Sequence, residues 1–187
     1  MKLHLSLKET PIKDLMLLTR NPKGDPRGYF ERLFCLTELI DILDGRIIHQ
    51  INHSFTSLSG SVRGMHFQLP PHTETKIVSC IRGEVFDVAI DLRKDSPTFM
   101  KWYGEILSPS NYRTMLIPDG FAHGFQTLTN DCEMLYFHTC NYSPESEQGL
   151  NSIDPRIMIH WPLEITERSS RDSSLPLIDD GFEGIQI

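Results

Sequence analysis

Residues 62–93 read V-R-G-M-H-F-Q-L-P-P-H-T-E-T-K-I-V-S-C-I-R-G-E-V-F-D-V-A-I-D-L-R. Arg63, His66, Gln68, His72, Glu74 and Lys76 crowd the first half of this stretch, and an alternating, β-branched strand pair follows. Polar groups are costly to bury without partners, so a core region that gathers them uses them. Histidine is the side chain best suited to take and return a proton near neutral pH, which makes His66 a candidate general base. Such a base needs a carboxylate to orient it and a cation where an oxyanion develops. Lys76 lies on the same segment. Tyr136 shares a strand face with Met134 and His138 and could deliver a proton from the other side of a ligand. Bland readings stand beside these. A strand histidine is commonly a hydrogen-bonded structural residue, a strand tyrosine a core or rim residue, and Lys76 alone a solvated edge charge.

The elements that must position these groups are mostly strands. Alternation at Leu3, Leu5 and Leu7 opens the chain, and N-P-K-G-D-P-R at residues 21–27 is a turn-rich loop. Residues 28–34 read as a strand. Residues 37–45 read as the one good helix, with Thr37 as its cap, Leu39, Ile40 and Leu43 as its apolar face and Gly45 as its stop. Strand signals then cover residues 47–55, 62–68, 75–81, 85–92, 103–107, 114–117, 125–128 and 133–139, with turn residues between them. That spacing predicts a β-sandwich or barrel. Residues 169–174 read as a loop in a polar tail. Asp87 and Asp91 share a face with Val85 and Ala89, which fits either a sheet with one wet face or a barrel with a ligand-lined interior.

At 187 residues the chain is long enough for one domain with a sizeable core. A formal net charge of -7 argues against general nucleic-acid binding, while local Arg clusters can still hold phosphate. No apolar run reaches the length of a membrane span, and Leu15 to Leu18 is too short for a signal-peptide core. Cys35, Cys80, Cys132 and Cys140 form no C-x-x-C pair, so a zinc site is not expected and the thiols read as reduced. The expected compartment is the cytoplasm, with neither membrane nor nucleic acid as a partner.

Two segments resemble the halves of a cupin barrel. The first runs Gly64, His66, His72, Glu74, Gly83. The second is P-D-G-F-A-H-G-F at residues 118–125, where a tight turn delivers His123. Many cupins hold a metal with an H-x-H pair, a Glu and the second-half His. Here Gln68 stands where the second His would be, and an amide is a poor ligand for transition metals. Without a metal, His66 is left as a base.

Further landmarks extend the match over nearly the whole length. They are D-P-R-G-Y-F at 25–30, Q-I-N-H-S at 50–54, R-G-M-H-F-Q at 63–68, G-E-V-F-D-V-A-I-D-L-R-K-D-S-P-T-F at 83–99 and I-P-D-G-F-A-H-G-F at 117–125. N-Y-S-P at 141–144, D-P at 154–155, W-P at 161–162 and R-D-S-S-L-P-L at 171–177 complete them. The chain thereby resembles the dTDP-4-dehydrorhamnose 3,5-epimerases, the third step of dTDP-L-rhamnose synthesis. The resemblance implies an all-β cupin jelly roll with short peripheral helices, a single domain over residues 1–187, and a homodimer with exchanged N-terminal strands. It implies no cofactor and no metal. It implies epimerisation of a nucleotide-diphosphate-linked 4-keto-6-deoxyhexose through an enolate, at C3 and C5.

Carried over by position, His66 is the base, Asp172 its dyad partner, Tyr136 the acid and Lys76 the enolate stabiliser. Arg63 and His123 belong to the sugar-diphosphate site. Arg27, Glu31, Gln50, Asn52, Glu147 and Arg171 are further ligand contacts, and Tyr142 stacks on the nucleobase. The polar tail is therefore expected to fold back over the barrel. Three positions depart from the family pattern. Ile51 replaces the Asp of Q-D-N, which is expected to remove one polar ligand near the nucleotide. Arg32 occupies the position where the family tends to place a Glu, with Glu31 one residue earlier, and Arg171 replaces a Lys. The alternatives are a C3-only epimerase on a dTDP-, CDP- or GDP-linked sugar, and a metal-binding cupin that is a dioxygenase or a sugar-binding module.

Overall fold

The period-two runs form two antiparallel sheets packed face to face. The computed structural model describes residues 5–187, so Leu3, the first of the alternating leucines, lies outside the described residues. The strands are β1 (Leu5–Glu9), β2 (Met16–Arg20), β3 (Lys23–Asp25), β4 (Gly28–Phe30), β5 (Gln50–Thr56), β6 (Val62–Gln68), β7 (Lys76–Arg82), β8 (Val85–Asp91), β9 (Trp102–Leu107), β10 (Arg113–Ile117), β11 (Phe121–Thr127), β12 (Cys132–His138) and β13 (Glu147–Gly149). One sheet has the order β1-β2-β10-β7-β12-β5 and the other β13-β6-β11-β8-β9. The β3–β4 hairpin stands apart. This is the cupin-like jelly roll, with two short helices, α1 (Leu36–Leu39) and α2 (Ser170–Ser173), at its periphery.

Three apolar clusters hold the layers. Between the sheets, Leu17, Val78, Val85, Ala89, Met115, Phe121, Phe125 and Met134 fill one part of the interior. The outer face of the five-stranded sheet, with Val88, Ile90 and Ala122, is covered by Leu150, Ile157, Ile178 and Ile185 from the tail. The outer face of the six-stranded sheet buries Leu18, Ile77 and Phe137 under Leu39 and Leu43. β8 thus has no wet face. Val85, Asp87 and Ala89 turn inward while Val88, Ile90 and Leu92 lie under the tail.

Local chemistry shifted several boundaries. α1 starts after Cys35 rather than Thr37 and spans a single turn, followed by turns to residue 45. Asp44 and Gly45 take positive φ there, which ends the turns, and the Glu38 side chain reaches the Leu5 amide and Arg32. Only Gly28–Phe30 of the expected strand at 28–34 forms, and the loop at 21–27 contains β3. β11 begins at Phe121, so His123 sits within a strand and the turn ends at Gly120. The polar tail supplies α2, capped by the Ser169 hydroxyl, which accepts from the Asp172 amide. Among the described residues, no helix is long and apolar enough to cross a membrane. All four cysteines are free, and burial pushes the Cys80 thiol up to about 12, as befits an inert core residue.

Gly64 lets β6 and β11 approach. Its φ is +118°, and a Cβ there would lie 2.6 Å from the Gly124 Cα and 2.7 Å from the His123 carbonyl oxygen. Both obstacles are backbone and cannot swing aside. Gly64→Ala is therefore expected to lower stability by about 3 kcal/mol, read as a shift in the urea midpoint at unchanged slope.

Candidate active site

One end of the space between the sheets is left open as a cavity of about 690 Å³. Both sheets wall it. β6 and β11 bring His66 and His123 side by side as direct pairing partners. β7, β12 and β5 bring Lys76, His138 and Gln50 into one row, with Asn52 opposite Tyr136 in the next. Because strand neighbours alternate in facing, these rows present one polar face to the cavity.

His66 Nε2 lies 2.8 Å from Asp172 Oδ1, although 106 residues separate them. The Gly64 amide donates to Asp172 Oδ2 at 3.1 Å. The carboxylate accepts from Nε2–H and thereby leaves Nδ1 as the nitrogen that can take a proton. Burial alone would raise the Asp172 carboxyl. The hydrogen bonds from His66 and Gly64, the His66 charge and Ser169 outweigh burial and hold it below the usual range. A carboxyl lowered on folding adds stability above its unfolded pKa and loses it as pH falls through the folded value. Asp172→Asn is thus expected to cost about 2 kcal/mol at neutral pH. In urea unfolding, that gap should close as pH drops below the ordinary aspartate value of about 4.

Tyr136 stands on the opposite sheet, partly buried, with its hydroxyl 2.9 Å from the Ser54 hydroxyl. Burial pushes its phenol well above the ordinary tyrosine value, while the Ser54 bond and the Arg63 charge pull the other way. His123 Nε2 pairs with Asp87 Oδ1 at 2.8 Å, and its ring is edge-on to Tyr136 with centroids 6.2 Å apart. Asp87 is fully buried, its Oδ2 has no partner, and burial raises its carboxyl against the pull of His123 and Lys76. Lys76 Nζ lies 3.2 Å from Glu74 Oε1 and 3.5 Å from the His66 carbonyl.

At the mouth, Tyr142 donates its hydroxyl to Glu147 at 2.7 Å, and Arg171 closes on the same carboxylate at 2.6 Å. The structure therefore gathers Asn52, Arg63, His66, Lys76, His123 and Tyr136 around one cavity. Tyr142, Glu147, Arg171 and Asp172 join them. Gln50 stands one link behind, donating to Asn52 and accepting from the Tyr142 amide. Arg27 and Glu31 lie elsewhere. Arg27 is exposed and pairs with Asp25, and Glu31 pairs with the buried Arg20. Ile51 is 60% exposed and alternates away from Gln50 and Asn52, so its apolar side chain is turned from the cavity.

Gln68 does not face the cavity as a free ligand. Its amide donates to the carbonyls of His72 and Asn141, and its carbonyl accepts from the Ser143 amide at 2.7 Å. Among the described residues, no group of three or more His, Cys, Asp or Glu side chains is placed to hold a metal ion. Sequence reasoning assigned no role to Ser54, Asp87, Glu74 or His138 in this site. The signal for Asp87 and His138 was their strand phase, which put both on inward faces.

A jelly roll with ionisable groups gathered at one open end of the space between its sheets is the plan of the cupin-type enzymes, and this chain follows it. The family model for the dTDP-4-dehydrorhamnose 3,5-epimerases matches residues 9–180, and the chain belongs to that family. An epimerase of that name from Salmonella typhimurium is 42% identical over 176 residues, covering 93% of this chain and 96% of the relative. The crystal structure of a dTDP-6-deoxy-D-glucose-3,5-epimerase from Legionella pneumophila, in complex with dTDP-4-keto-L-rhamnose, superposes with a TM-score of 0.91 at 37% identity. It covers 98% of this chain and 99% of that one. A 3'-monoepimerase from Streptomyces bikiniensis, in complex with dTDP-quinovose, matches at a TM-score of 0.83 and 27% identity, over 90% of this chain and 85% of that one.

Proposed function

We propose that the protein inverts C3 and C5 of a dTDP-linked 4-keto-6-deoxyhexose by proton removal and return. The observation that carries this reading is the placement of a His66–Asp172 pair on one sheet and a Tyr136 phenol on the other. Inversion at a carbon α to a ketone needs a base and an acid on opposite sides of the sugar. In the proposed step, His66 Nδ1 takes the C3 proton and the C–H electron pair moves into the C3–C4 bond. The carbonyl π pair then becomes the C4 oxyanion. Asp172 stabilises the imidazolium. Lys76 supplies the positive charge for the oxyanion. The oxyanion then re-forms the carbonyl while the C3–C4 π pair takes the Tyr136 proton at C3 from the other face, and solvent later reprotonates the tyrosinate and takes the proton from His66. The same sequence at C5 completes the reaction. Arg63, His123 and Arg171 suit the diphosphate, and Tyr142 suits the base by stacking.

The dimer belongs to the same reading. Arg27 sits in the turn of an exposed hairpin and Glu31 just after it, and Tyr29 and Phe30 on that hairpin are 57% and 74% exposed. A homodimer would cover these rings and bring Arg27 to a partner's substrate, with β1, at a sheet edge, as the exchanging strand. One domain in the cytoplasm, with its thiols reduced, completes the proposal.

Turnover of dTDP-, CDP- and GDP-linked 4-keto-6-deoxyhexoses in deuterated water tests it. The dTDP substrate is expected to be consumed with deuterium appearing at both C3 and C5 by NMR. Label at C3 alone would mark a monoepimerase, and no turnover of the dTDP sugar would overturn the reading.

A further inference from the structure

Glu74 and His138 line the cavity but take no part in the chemistry above. Strand register places His138 directly opposite both Lys76 and Gln50. From there a run of hydrogen bonds can be followed in one direction. The Tyr142 amide donates to Gln50 Oε1 at 3.1 Å. Gln50 Nε2 donates to Asn52 Oδ1 at 3.0 Å. Asn52 Nδ2 lies 3.4 Å from His138 Nε2, and His138 Nδ1 lies 2.7 Å from Glu74 Oε2. The other Glu74 oxygen holds the Lys76 ammonium at 3.2 Å.

The polarity of this run is fixed at both ends. A backbone amide can only donate, and an ionised carboxylate can only accept. Every link between them must therefore point from Tyr142 towards Glu74. That sets His138 Nδ1–H towards the Glu74 carboxylate and leaves Nε2 to accept from Asn52. Glu74 is itself suited to end the run. Burial would raise its carboxyl, but His138 and the Lys76 charge outweigh burial and keep it lowered.

We propose that Glu74 and His138 are positioning residues that set the nucleobase platform by fixing the Tyr142 backbone through Asn52 and Gln50. The loop is also held by Gln68, which accepts from the Ser143 amide, but the Tyr142 amide itself is held by this run. Tyr142 is half exposed, and its ring is held at two points, by Glu147 at the hydroxyl and by this run at the backbone amide. The same carboxylate grips the ammonium beside the sugar site and the histidine that orders the nucleotide end. The two ends of the substrate are thus read against one fixed group. The inference rests on the epimerase reading, in which Tyr142 meets the nucleobase.

The test is calorimetric titration of dTDP alone, with turnover kinetics alongside. His138→Phe keeps a ring against Tyr136, where the two rings now stack at 6.2 Å and 26°, but breaks both hydrogen bonds. Its Kd for dTDP is expected to rise about tenfold, with KM rising in step and kcat nearly unchanged. His138→Gln offers one donor and one acceptor and is expected to restore most of the affinity. In a Tyr142→Ala background, His138→Phe should add no further loss, because its effect passes through that residue.

The inference is overturned if His138→Phe binds dTDP as the parent does. It is equally overturned if Gln rescues no better than Phe, or if the loss is undiminished in the Tyr142→Ala background. Should His138→Phe fail to fold, Glu74→Met removes the terminal acceptor, and parental dTDP affinity in that variant would also overturn it. A parent protein that neither binds dTDP nor turns over its 4-keto sugar sinks the epimerase reading itself, and this inference with it.

Discussion

His66→Ala is expected to fold as the parent does and to lose deuterium exchange at both C3 and C5 of the 4-keto sugar. The loss in kcat should be about a thousandfold or more, the upper part of the range for removing a positioned base. The carbon acid is very weak, and the imidazoles of His123 and His138 are less open to a substrate. Both also pair with carboxylates, Asp87 at 2.8 Å and Glu74 at 2.7 Å, but their side chains are 7% and 13% exposed against 30% for His66. Folding should survive because the His66 side chain is 30% exposed and faces the cavity rather than the packed interior. Truncation leaves Asp172 still hydrogen-bonded to the Gly64 amide, so its charge is not stranded. Full exchange in a folded His66→Ala protein would reject the base assignment. Loss of exchange at one carbon only would mean that a different group serves the other centre.

The sequence carried the fold in its strand period, because one residue of phase decides which side chain faces inward. The inward set Tyr136 and His138, and the outward set Phe137 with Ile77, follow from alternation alone. The pairing of His66 with Asp172 does not. It depends on a tail that crosses the barrel mouth and on a one-turn helix too short to announce itself by periodicity. Only the family resemblance carried that expectation. Helix α1 shows the opposite failure. Its apolar spacing is sound and does bury Leu39 and Leu43, but the regular helix lasts one turn, and positive φ at Asp44 and Gly45 ends the turns that follow. Ile51 shows how alternation corrects a reading by position. As a departure from Q-D-N it suggested a lost ligand, yet on β5 it faces outward while Gln50 and Asn52 keep their links. The contact between Glu74 and His138 gave no signal by spacing, since the loop before β7 and the last residue of β12 meet only through sheet register.

Tyr136→Phe is expected to separate the two halves of the reaction that His66→Ala abolishes together. With His66 and Asp172 intact, the C3 proton is still removed and solvent deuterium still returns from the His66 side. The recovered sugar should therefore carry deuterium at C3 with its configuration retained, while inversion falls about a hundredfold. The phenylalanine ring fills the same space, so packing against the interior cluster is preserved and only the contact with the Ser54 hydroxyl is lost. Burial keeps the phenol protonated through neutral and mildly alkaline pH, because its pKa lies above the ordinary tyrosine value. The parent should accordingly keep its acid well past neutrality, with no alkaline limb from Tyr136 in the accessible range. The same burial makes a free tyrosinate costly, and the Arg63 charge, which pulls the pKa back down, offsets part of that cost as the proton leaves. If exchange and inversion decline by the same factor in Tyr136→Phe, the tyrosine is a packing residue and the returning proton has another source.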